Sequence, residues 1–293
     1  MSAVARAGWL MLGSTLCFAL MAVAIRFAAQ DVHAFEVVFF RNLFGLLFAL
    51  PLLLRTGTHI LRTNRLGLYA LRCVIGLCAM LTGFWSLVHL PLAEAISLSY
   101  TTPLFVTIGA VLVLGEVVRA RRWTAVAIGF VGALIILRPG VEALSTAALV
   151  ALLSAALSAS AAISIKFLAR TEAPDAIVIY MVLIMTPLSL LPALPVWVWP
   201  TGETWLWLVA TGLLGTLGHF ALTRAYKLGD VSALQSINFV QLPIVAALGW
   251  WLFDENIDAY TALGAAIIFA STLYIAHREA VLARRVTTDA QMQ

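Results

Sequence analysis

"SLSYTTPLF" at 97–105 and "SINFVQLPI" at 236–244 each set hydroxyl or amide side chains, an aromatic ring and a proline inside an apolar run long enough to cross a bilayer. Proline has no N–H and crowds the carbonyl four residues back, so Pro103 and Pro243 should interrupt their helices and free the oxygens of Ser99 and Phe239. Hydrocarbon cannot satisfy such oxygens; neighbouring protein or a watery cavity can. The same device in two distant places predicts two broken helices that meet at mid-depth.

The rest of the chain is suited to such a setting. Its 293 residues are 62% hydrophobic and 11% charged, with a mean hydropathy of +1.00. A soluble domain carries about 25% charged residues, so this chain has too little polar surface for water and reads as an all-α integral membrane protein. Runs that match the roughly 20 residues needed to span hydrocarbon lie near 8–29, 34–54, 67–89, 92–115, 121–138, 146–169, 175–198, 204–227, 231–253 and 258–277. These ten transmembrane helices leave only short connections and a polar tail. Basic residues gather at one end of the spans (Arg6, Arg55, Arg62, Arg65, Arg119, Arg121, Arg122, Arg170, Arg224, Lys227, Arg278, Arg284 and Arg285), which predicts cytoplasmic N- and C-termini. Tyr69, Tyr180 and Trp207 are among the rings expected in the interfacial belts. The net charge of +4 follows this topology and forms no basic face for nucleic acid.

The two halves repeat. "AVAIRFAAQ" at 22–30 aligns with "AISIKFLAR" at 162–170, setting Arg26 against Lys166. The two opening stretches align with about the same offset, and each is followed by a glutamate at the end of its span, Glu116 or Glu255, read as a helix cap. Five spans per unit is odd, so the second unit is inverted. Two inverted five-helix repeats around a central cavity, 1–140 and 141–278 with a cytoplasmic tail at 279–293, is the architecture of a transporter that binds substrate at mid-depth.

The expected substrate-binding residues are Ser97, Ser99, Tyr100 and Thr101 from span four and Gln235, Asn238, Phe239 and Gln241 from span nine, with Pro103 and Pro243 as the helix breaks. Interhelical hydrogen bonding is the competing role for each polar side chain. His219 joins the set because it stands among Gly212 and Gly215 in span eight, where span three carries only small residues. Three roles suit it: donor to a substrate carboxylate, proton carrier, or bridge between helices. Arg41, two turns inside span two, is a functional candidate by its depth, or else a partner of Glu36 or Glu94. No acidic residue lies near a span centre, and no basic cluster is read there. Neither a nucleotide-binding nor a protease motif is present, and Cys17, Cys73 and Cys78 lack metal-ligand spacing. No enzyme, metal or cofactor is expected; the partners are a small molecule and the lipid bilayer, with the chain a monomer or a weak homodimer through spans five and ten.

The ten-span layout, "FFRNLFGLLFALPLLL" at 39–54, "SYTTPLFVTIGAVLVLGE" at 99–116 and "GFVGALIILRPG" at 129–140 resemble the drug/metabolite transporter superfamily, EamA type. Span nine departs from that pattern with Asp254 where span four has Gly115. Within the superfamily the chain is similar to bacterial aromatic amino-acid exporters of the YddG type. The resemblance implies export of amino acids through the bacterial inner membrane by alternating access, with uniport as the simplest coupling. The alternatives are another metabolite (S-adenosylmethionine, a purine or a flavin), proton-coupled antiport, or a receptor or scaffold without turnover.

Overall fold

The computed structural model describes residues 3–56, 63–114, 120–138, 145–168, 171–172, 174–228, 237 and 240–274. Its helices are α1 (Ala3–Ala28), α2 (Ala34–Thr56), α3 (Leu66–His89), α4 (Leu92–Ser99), α5 (Thr102–Leu114), α6 (Ala120–Leu137), α7 (Thr146–Leu168), α8 (Pro174–Ala193), α9 (Thr204–Leu228), α10 (Gln241–Phe253) and α11 (Ala259–Tyr274). Span four is α4 and α5 together, and α10 belongs to span nine. A helix keeps every backbone bond within itself, the condition for crossing hydrocarbon. Breaks fall where proline forbids that: Pro91 precedes α4, and α4 ends at Ser99, ahead of Pro103. Among the described residues, seven spans are long and apolar enough to cross a membrane, and three shorter apolar helices complete the ten.

The packing carries the repeat into three dimensions. If spans one to five correspond to six to ten, each contact should recur in exchanged form. The principal ones do: α1 packs on α9 as α7 packs on α3, α2 meets α9 as α8 meets α3, and α10 meets α1 as α4 and α5 meet α7. The self-related pairs α2 with α8 and α4 with α10 also touch. Two hydrogen bonds repeat in the same way. Thr204 at the start of α9 donates its hydroxyl to Asp31. At the opposite end of the bundle, Thr63, ahead of α3, donates to Glu172 at 3.0 Å. The helices thus form two inverted units about one pseudo-twofold axis.

Spans five and ten close the set on each other. A Cβ built on Gly132 would lie 2.8 Å from the carbonyl oxygen of Gly264, and one on Gly264 would lie 2.5 Å from that of Gly132. Small residues permit this backbone approach, so spans five and ten pack on each other within the chain. Gly264→Leu should therefore cost roughly 1–3 kcal/mol by overpacking, read as a lower melting temperature in detergent. Gly13→Ala is the control, because a Cβ there meets nothing within 4 Å.

Three of the rings expected at the interfacial levels pack against protein. Tyr69 and Tyr180 are buried and stacked at 4.4 Å, with the Tyr69 hydroxyl 3.2 Å from Glu172. Trp207 stacks on Phe27 at 4.5 Å. Trp9, Trp199, Trp250 and Trp251 do face outward.

Candidate functional site

A cavity of about 450 Å³ lies between the two units, lined from α1, α2, α3, α4, α7, α8, α9 and α10. Its size falls within the roughly 300–1,000 Å³ of small-molecule sites. The wall at α3 and α7 carries small residues, Gly76, Ala79 and Gly83 from one helix and Ala151, Ser154 and Ser158 from the other. The Ser154 hydroxyl fixes that wall by donating to the carbonyl of Ala79 at 2.8 Å. Polarizable groups complete the lining: Phe18, Met21, Met80, Met181 and Met185.

Of the residues expected from sequence, Ser99, His219 and Gln241 line this cavity. The rings of His219 and Phe18 meet edge to face, with centroids 5.1 Å apart. Ser97 and Thr101 are buried elsewhere; their hydroxyls donate to their own helix turns, at Ala93 (2.6 Å) and Leu98 (2.7 Å). Tyr100 packs against the main core, and its carbonyl receives Thr272 at 3.5 Å. The Ser99 carbonyl that Pro103 frees is taken by the Thr102 hydroxyl at 2.7 Å rather than offered to a ligand. Pro243 and Ser97 line a separate apolar groove of about 350 Å³ beside α11. Gln235, Asn238 and Phe239 lie outside the described residues.

The cavity also holds a feature that the sequence reading missed. Arg41 and Arg72 both line it, and both are buried, at 4% and 8% exposure. They lie within electrostatic reach of each other and of His219. Arg41 pairs with neither expected acid: the Glu36 carboxylate accepts from the backbone N–H groups of Val198 (3.1 Å) and His33 (3.3 Å), and no ion pair joins Arg41 to Glu94. Glycines make room for both heads. A Cβ on Gly76 would meet Arg72 Nη1 at 2.8 Å, and one on Gly215 would meet Arg41 Nε at 3.1 Å. The signal in the sequence was "LRCVIG" at 71–76, an arginine more than a turn inside a span with a glycine one turn on.

One end of the bundle above the cavity is tied shut. Glu255 closes its own helix only through its backbone N–H, which donates to Gly249 at 3.1 Å; Asp254 turns left-handed at φ 55°, and the glutamate side chain reaches across to Arg26 at 2.5 Å and to the N–H of Leu92 at 2.7 Å. Arg26 Nη1 in turn donates to the carbonyls of Leu87 (3.0 Å) and Leu90 (2.5 Å). Two carboxylate contacts thus join α1, α4 and α10, and the arginine adds the end of α3. Phe253 packs on Phe27 at 4.9 Å beneath them.

Comparison with known proteins agrees with this geometry. The model of the EamA-like transporter family matches residues 6–138 and again 145–276. A riboflavin transporter of Vibrio cholerae is 33% identical over 280 residues, covering 94% of each chain. An S-adenosylmethionine uptake transporter of Rickettsia felis is 29% identical over 272 residues, covering 93% of this chain and 92% of its own. A protein crystal structure that is 22% identical superposes with a TM-score of 0.65 over 96% of this chain and 99% of its own, a likeness of fold.

Proposed function

Because the chain belongs to the EamA-like transporter family, as a multi-pass membrane transporter and not an enzyme, we propose that it carries a neutral, planar heterocycle of the riboflavin kind by alternating access. The observation that supports this reading is the composition of the cavity. Small residues, thioethers and an aromatic ring make up most of the lining, and none of the described lining residues is acidic. A tricyclic ring in a cavity of this size would meet several of these thioethers, and sulfur–aromatic contacts contribute about 0.3–1.5 kcal/mol each. An aromatic amino acid would bring an ammonium group to a site whose described lining holds no carboxylate, and S-adenosylmethionine would bring a sulfonium as well. The relatives of this length include riboflavin transporters of Vibrio cholerae and Rhizobium johnstonii, each 33% identical.

In this reading the basic end faces the cytoplasm of a bacterial inner membrane, and the Arg26–Glu255 end is the outer seal. The two repeats rock about the cavity, and net flux follows the substrate gradient. Counterflow tests the substrate. Proteoliposomes preloaded with riboflavin should accumulate labelled riboflavin transiently, with competition by unlabelled riboflavin and little by tryptophan or S-adenosylmethionine. Counterflow of tryptophan with none of riboflavin would return the choice to amino acids.

A further inference from the structure

We infer that Arg41 and Arg72 form an acceptor-recognition end of the cavity, which selects substrates presenting carbonyl or carboxylate oxygens along one edge and rejects cations. The inference rests on the reading of the cavity as the transport site and adds the chemistry by which that site chooses. A guanidinium carries five N–H donors and no acceptor. Arg41 spends Nη1 on the Asn42 side-chain oxygen at 3.2 Å. Arg72 directs Nη1 at the thioether of Met185 at 3.8 Å, a weak acceptor, and its Nε is buried with no hydrogen-bond partner. Neither arginine has a carboxylate partner among the described residues.

Burying a charge without a counter-charge opposes folding, and an unsatisfied buried donor adds to that cost. Here two such charges sit within reach of each other, so each disfavours its neighbour. The described residues supply no counter-charge for them, and the two heads lie directly against Gly76 and Gly215, where a side chain would displace them. A ligand edge with two oxygen acceptors would supply what the protein lacks, because the planar fork matches paired oxygens bidentately. The dicarbonyl edge of a flavin ring and the carboxylate of an aromatic acid share this chemistry. A sulfonium or a free amine would meet only repulsion there.

The test separates this role from a structural one. Purified protein in nanodiscs is melted with and without riboflavin, nicotinate, tryptophan or S-adenosylmethionine, for wild type, Arg41→Gln, Arg72→Gln and Arg72→Lys. Relief of the uncompensated charge should raise the ligand-free melting temperature of the glutamine variants by about 2–4 °C. The same variants should bind riboflavin at least tenfold more weakly, while Arg72→Lys, which keeps the charge without the fork, falls between. If riboflavin does not bind but nicotinate does, and only with both arginines present, the flavin assignment fails while the arginine role holds. Glutamine variants that melt lower and bind every compound as the wild type does would make the arginines structural and overturn the inference. Preferential binding of S-adenosylmethionine would overturn it as well.

Discussion

Glu255→Gln is expected to raise the rate at which a membrane-impermeant thiol reagent, added outside, labels a cysteine placed at Ser99. The background for this measurement replaces Cys17, Cys73 and Cys78, and Ser99 is chosen because it lines the cavity. The carboxylate holds Arg26 and the first N–H of α4 together. Hydrogen bonds to charged groups contribute about 1.5–3 kcal/mol each, so loss of the ion pair should shift the equilibrium toward the outward-open form by about tenfold. Arg26→Gln should give a similar increase, because it also releases the carbonyls of Leu87 and Leu90. The double variant should exceed neither single variant by much, as coupled partners are not additive. Unchanged labelling in both single variants would assign the seal to Phe27, Trp207 and Phe253 packing instead.

The family assignment is independent of that outcome, and it explains which parts of the molecule were readable in advance. Hydropathy marks the spans because a helix is the obligatory single-segment solution in lipid, and the aligned prolines mark the repeat because their backbone effect does not depend on context. Side-chain roles are different. Ser97 and Thr101 looked like ligands, but a hydroxyl can return its hydrogen bond to the turn below it, and both do. Nothing in a linear pattern distinguishes that from a hydroxyl aimed at a cavity. Glu255 looked like a cap because it ends a span; the left-handed turn at Asp254 sends it across to other helices. Arg72 went unread because basic residues in the first turns of a span are expected to reach the interface, whereas its head lies beside Gly76 and Met185.

The cavity itself makes the sharper claim, that it is the path of the substrate. Ala162→Trp tests it. This alanine lies well inside α7, yet it is exposed, because it faces the open space between the units rather than a packed neighbour. A tryptophan there enters the void without displacing core side chains, unlike a large residue at Ala161, which is buried at 7% exposure. Expression and melting temperature should therefore stay close to wild type, since the added ring gains apolar contact at about 25 cal/mol per Å² buried. Counterflow should fall by about a hundredfold, because a filled site can neither bind substrate nor close around it. Ala162→Ser keeps the volume and should transport normally. Should Ala162→Trp transport at the wild-type rate, the space between α3 and α7 is a packing defect and the permeation route runs elsewhere, with the apolar groove beside α11 the next place to block.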